Sequence, residues 1–200
     1  MITEVRPRLA ITLGDPAGIG PEVVLKALSH PAVAEICQPL IIGDQRILSR
    51  AAAWLDHAPR AYELIDLHNA DPATCPVGQL SAAAGRAAVA YVFHACDLAL
   101  AGAVEAIVTA PLNKAAMHLA GFDYAGHTEL LQARTKATRV SMLLIGASLR
   151  VVHVSTHLAL EEAIRRVTKE RVGTVIDLEK AFSSASSPRG SSTSTAPRNR

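Results

Sequence analysis

The chain has 200 residues, half of them hydrophobic and only 4% aromatic, which allows one domain or two small ones with a sizeable core and suits closely packed helices on a sheet. Three of its twenty basic residues, and no acid, lie in Ser183–Arg200, so residues 1–182 hold 17 basic and 18 acidic groups and the formal charge of +2 belongs to the tail. A balance of this kind with no basic stripe argues against a nucleic-acid partner.

The predicted elements alternate between strand and helix. The first fifteen residues contain no secretory apolar segment, and no run in the chain reaches membrane length. Leu9–Leu13 reads as a buried strand, and GDPAGIGPE (Gly14–Glu22) follows it with three glycines, two prolines and two acids. Pro21 and Glu22 suit the first turn of a helix over Pro21–Ser29. The loop between is either a tight connection in an α/β fold or a cradle for an anion at the helix N-terminus. Its spacing is neither that of a dinucleotide fingerprint nor that of a P-loop. Further strands are expected at Pro39–Gly43, Tyr62–Leu67, Ala106–Thr109, Val140–Ile145 and Arg150–Ser155. Further helices are expected at Gln45–His57, Ser81–Ala101, Lys114–Leu119, Thr128–Thr135, Leu160–Arg166 and Lys169–Phe182. Gly102 marks the end of the longest. The alternation predicts a parallel or mixed sheet covered by helices. Cys37, Cys75 and Cys96 are scattered and lack metal-type spacing, the usage of a reduced, cytoplasmic protein.

The last eighteen residues are different material. Nine are serine or threonine and none is a large apolar residue, so 183–200 is expected to be a disordered tail on a folded part spanning 1–182. The abrupt change also fits a shifted reading frame.

Two stretches carry chemistry. VTAPLNKAAMHLAGFDYAGHTELL (Val108–Leu131) places Asn113, Lys114, His127, Thr128 and Glu129 beyond a strand that ends at Thr109, the edge where open α/β sheets bind ligands. Thr128 reads as a helix N-cap whose hydroxyl, with the free backbone N–H groups, could meet a phosphate or carboxylate. Lys114 could add charge. RVVHVSTHLAL (Arg150–Leu160) sets His157 just past a strand end, where an imidazole can ligate a divalent metal once partners join it. Thr109, His127 and His157 are expected near one edge of the sheet.

Together ITLGDPAGIGPEVVLKAL, VTAPLNKAAMHLAGFDYAGHTELL and VVHVSTHLALEEA resemble the 4-hydroxythreonine-4-phosphate dehydrogenases of pyridoxine biosynthesis and their relatives acting on D-threonate or D-erythronate 4-phosphate. The likeness runs over residues 8–182. It implies a three-layer α/β fold like that of isopropylmalate and isocitrate dehydrogenases, with a C-terminal part missing here. It also implies oxidation of 4-phosphooxy-L-threonine, with NAD or NADP, to a 3-keto acid that decarboxylates, with a divalent metal (zinc, magnesium, manganese or cobalt) assisting. By the resemblance His127 and Thr128 bind substrate and His157 binds the metal; it assigns no catalytic residue and no cofactor-binding residue here. The implied protein is a homodimer with a small phosphorylated hydroxy acid as substrate and no nucleic-acid or membrane partner. A sugar-acid phosphate dehydrogenase and an inactive fragment are the alternatives; a phosphotransferase or hydrolase would call for a P-loop or a paired-carboxylate motif, and neither is present.

Overall fold

The computed structural model describes residues 6–56, 61–156 and 158–186. The chain divides into two compact units, one up to Ala137 and one from Thr138.

The first unit runs β1 (Arg8–Thr12), α1 (Gly20–Leu28), α2 (Pro31–Ile36), β2 (Gln38–Gly43), α3 (Gln45–Ala52), β3 (Glu63–Asp66), α4 (Ala82–Leu100), β4 (Ala106–Thr109), α5 (Lys114–Leu119) and α6 (His127–Thr135). Its four strands form one parallel sheet in the order β3-β2-β1-β4. Leu40, Ile41 and Ile42 of β2 are buried on both faces, as parallel strands between helical layers require. The chain steps outward from β1 through β2 to β3, then returns through α4 to set β4 on the other side of β1. Right-handed crossovers then put α1 and α3 on one face and α4 on the other. Accordingly α1 packs on α3, while α4 packs on β1, β2 and β4. This is the expected three-layer α/β arrangement.

Local chemistry starts the helices where the sequence places them. Asp44 caps α3 by accepting from the Arg46 amide at 2.9 Å, Ser81 caps α4 through the Ala84 amide at 3.3 Å, and Asn113 caps α5 through the Ala116 amide at 3.1 Å. Gly102 takes φ +69° just beyond α4. The helix α2 was not anticipated. Its cap is His30, whose Nδ1 accepts from the Ala32 amide at 3.3 Å, and six residues are too few for apolar periodicity.

The second unit contains β5 (Leu143–Ile145), β6 (Arg150–Val152), α7 (Leu160–Arg166) and α8 (Lys169–Ser186). The two strands expected over 140–155 are shorter than predicted and pair antiparallel with each other, apart from the parallel sheet. Only 146–149 connect them, and the Gly146 amide donates to the Leu149 carbonyl at 2.8 Å. Parallel neighbours need a crossover of a dozen or more residues, so this short link dictates a hairpin. The helix expected to end at Phe182 continues to Ser186. Ser184 donates to the Lys180 carbonyl at 2.8 Å, one turn back. The rest of the Ser/Thr-rich stretch, 187–200, lies outside the described residues.

Candidate functional site

The strand order makes a topological switch point between β1 and β4. The loops leaving their carboxyl ends head to opposite faces, which opens a crevice at the place where α/β sheets take ligands. Those two loops are Leu13–Ile19, within the Gly/Pro motif, and Ala110–Asn113, within the second motif.

The Gly/Pro loop is the tight connection of the two readings. Gly14 stands at φ +67°, and a Cβ on it would come within 2.2 Å of the Pro111 carbonyl oxygen. The Asp15 amide donates to that same oxygen at 2.9 Å. Asp15 folds back so that Oδ1 accepts from the Ala17 amide at 2.8 Å, and the Gly18 amide donates to the Asp15 carbonyl at 3.0 Å. Gly20 lets α1 begin against β1, since a Cβ there would lie 2.2 Å from the Leu13 carbonyl oxygen. The amides of Asp15, Ala17 and Gly18 are therefore spent inside the protein. What the loop presents is a buried carboxylate, whose proton affinity burial pushes up while the Ala17 amide lowers it. Those three amides are closed to an anion, while the first turn of α1 carries no side-chain cap.

The neighbouring wall was not singled out from the sequence. Asp44 is fully buried at the end of β2 and accepts from the Ala70 amide at 2.8 Å and from Arg46 Nε at 3.0 Å and Nη2 at 2.8 Å. Burial alone would raise its carboxyl, but the Arg46 guanidinium and the two amides together hold it below the usual range. Arg50 donates to the Pro16 carbonyl at 2.6 Å and the Cys75 carbonyl at 2.8 Å, tying the Gly/Pro loop to the segment after β3. An Asp before an amphipathic helix was the available signal for Asp44; nothing local marks Arg50.

On the β4 side the structure brings His127 to the strand end. The backbone of Ala110, the residue next to Thr109, acts on the His127 ring and raises its proton affinity. Its Nε2 is buried without a partner among the described residues. Burial holds the imidazole below its ordinary value, with only the Ala110 backbone opposing, so the ring is neutral at neutral pH. Thr128 is displaced from its expected role. Helix α6 begins at His127 and its N-cap is Gly126, at φ 171°, with no side-chain cap bond. Thr128 thus sits inside the first turn, half-buried, and the first N–H groups of α6 have no capping side chain. The reason is the extended Gly126 backbone, which starts the helix two residues earlier than a Thr128 cap would. Lys114 and Glu129 flank this helix start: a Cβ on Gly126 would lie 3.9 Å from Lys114 Cε and 3.7 Å from Glu129 Oε2.

A cleft of about 630 Å³ runs along α6, lined by His118, Asp123, Tyr124, Ala125, Glu129, Gln132 and Ala133. Two carboxylates on its wall make it a poor receptor for phosphate. His157, the expected metal ligand, lies outside the described residues. Among the described residues no three His, Cys, Asp or Glu side chains are grouped to hold a metal ion. The described part therefore offers the metal implied by the resemblance no ligand set of its own.

The family model described as pyridoxal phosphate biosynthetic protein PdxA matches residues 35–188. A D-threonate 4-phosphate dehydrogenase from Cupriavidus necator is 41% identical over 181 residues, which is 83% of this chain and 54% of the relative. A 4-hydroxythreonine-4-phosphate dehydrogenase from Desulforapulum autotrophicum is 36% identical over 192 residues, 88% of this chain and 56% of the relative. The crystal structure of a 4-hydroxythreonine-4-phosphate dehydrogenase from Burkholderia phymatum superimposes with a TM-score of 0.80 at 40% identity, covering 90% of this chain and 59% of that one. The chain spans about half the length of the curated relatives it matches.

Proposed function

The chain belongs to the PdxA family, and we propose that it carries the substrate-binding end of a dehydrogenase acting on a small phosphorylated hydroxy acid, 4-phosphooxy-L-threonine first among them. The observation that supports this reading is the buried, unpartnered Nε2 of His127 beside the uncapped start of α6. The two features suit the two ends of such a substrate. The free N–H groups of the first turn, with the Thr128 hydroxyl, favour the dianionic phosphate, and Lys114 adds a charge-assisted bond. Glu129 shares that turn, so a bound phosphate displaces its carboxylate from the helix start. The neutral His127 ring suits the hydroxyl: its buried Nε2 has no partner among the described residues and is left to hydrogen-bond the alcohol.

D-Threonate 4-phosphate is the second reading, favoured by the name and 41% identity of the Cupriavidus necator relative. Both esters place a phosphate and a hydroxyl on a four-carbon chain, so both fit the same pair of features. NAD or NADP as oxidant, a divalent metal ligated by His157 and a homodimeric assembly belong to the same family reading.

The test is amide NMR and calorimetric titration of the chain with each ester. Saturable shifts at His127, Thr128 and Glu129 are expected. Lys114→Met should weaken binding about tenfold or more, the loss of one charge-assisted bond. The ester that binds tighter assigns the substrate. A folded chain with no response at these three residues would overturn the reading.

A further inference from the structure

Helix α7 wears its apolar face on the outside. Its sequence LEEAIRR, followed by Val167, sets Leu160, Ile164 and Val167 along one side and Glu161, Glu162, Arg165 and Arg166 around the other. An amphipathic helix of a packed domain turns its apolar stripe to the core. Here Leu160 is 78% exposed, Ile164 65% and Val167 63%, and only Ala163 of the helix is half-buried. The charged face is closed on itself: Arg165 pairs with Glu161, and Arg166 with Glu162 at 3.3 Å, each one turn apart. Three large apolar side chains bare in one row mark an interaction surface.

We infer that α7 docks on α7 of a second copy of this chain, the two helices packing antiparallel about a two-fold axis. The order of the charges selects this occupant. Both acids precede both arginines along the helix. Antiparallel packing centred between Ala163 and Ile164 sets Leu160 of one copy against Val167 of the other. It also brings Glu161 of each copy beside Arg165 of the other, on the flank of the apolar stripe, and it aligns the helix dipoles favourably. Parallel packing would instead set acid on acid and arginine on arginine. A face that complements itself under a two-fold axis is what an isologous dimer requires. With two acids and two arginines the charged face has no net charge, so it has no pull towards an anionic membrane. Three side chains make a small patch beside the roughly 800 Å² per partner of a standard interface, so the association is weak and depends on concentration. The inference gives the proposed homodimer a surface and does not rest on the proposed substrate site.

Sedimentation velocity of the chain, from low to high micromolar concentration, tests it. The wild type should shift from one chain towards two as concentration rises. Ile164→Asp puts a charge at the centre of the apolar stripe and should weaken the dimer about tenfold or more. Because Ile164 is exposed, the circular dichroism of that variant should match the wild type. Glu161→Lys leaves positions 161 and 165 both cationic, and Arg165→Glu leaves both anionic, so each variant alone should associate less than the wild type. Mixed in equal amounts they should associate again, cationic helix on anionic helix, which a role confined to one chain would not produce. A wild type that stays monomeric overturns the inference. So does a dimer indifferent to Ile164→Asp, or a mixture no heavier than its two parts. Should Ile164→Asp lose its fold, the mixture decides. A wild-type dimer unmoved by all three variants removes α7 and leaves the homodimeric reading standing, while ester binding at Thr128 bears on the substrate reading alone.

Discussion

Removing the Asp44 carboxylate should cost the first unit much of its stability. The side chain is fully buried and serves three groups at once: it caps α3 through the Arg46 amide, satisfies the Ala70 N–H, and pairs with the Arg46 guanidinium. Asp44→Ala forfeits a helix cap, about 1 kcal/mol. It also strands the Ala70 N–H in the core, since Ala70 is itself fully buried, at about 1–3 kcal/mol. The Arg46 pair adds little, because the arginine side chain is 44% exposed and stays close to Asp71 at 3.2 Å. The total is about 3 kcal/mol, which lowers Tm by about 10 °C in a chain of this size. Asp44→Asn retains a cap oxygen and should lose about half as much. Urea unfolding followed by far-UV circular dichroism gives both values. An Asp44→Ala midpoint within about 1 kcal/mol of wild type would refute the claim that this carboxylate holds the β2 end together.

Three further outcomes are expected. Tyr91 is fully buried with its hydroxyl unpartnered among the described residues, so Tyr91→Phe should be neutral or stabilising by up to about 1 kcal/mol; a loss larger than that would reveal a bound water or other partner. Burial raises the thiols of Cys75 and Cys96, so neither should react with a disulfide reagent at neutral pH until denaturant is added, and fast labelling of either by mass spectrometry would contradict their placement. For His127 the folded value lies below the ordinary 6.5. The unfolded chain therefore binds its proton first as pH falls, so this histidine's contribution to stability is present above 6.5 and is lost below it. His127→Asn should accordingly flatten the drop in urea midpoint between about pH 7.5 and about pH 5, and an unchanged drop would argue against a buried neutral ring.

What the sequence determined by itself is what short-range chemistry encodes. Apolar runs marked β1, β2 and β4, and Asp44, Ser81 and Asn113 begin their helices because a cap needs only an oxygen two or three residues before the amide it accepts from. The long motifs were enough to suggest its family, and two of the three lie within the residues 35–188 that the family model matches. Where the local signal was weak, the sequence reading slipped. Helix α2 rests on a histidine cap over six residues, and Gly126 took the capping position expected of Thr128. Tertiary structure alone decided how distant backbones meet. Gly14 reads in sequence only as part of a Gly/Pro connection, yet its glycine is demanded by the Pro111 carbonyl, which lies far along the chain. Nothing local marks Arg50, yet it holds the Gly/Pro loop to the Cys75 carbonyl. The burial of His127 Nε2 without a partner among the described residues is likewise a tertiary fact, which the local sequence does not express. Such contacts follow from strand order, and strand order follows from burying the whole sheet between its helices, a condition no local segment can express.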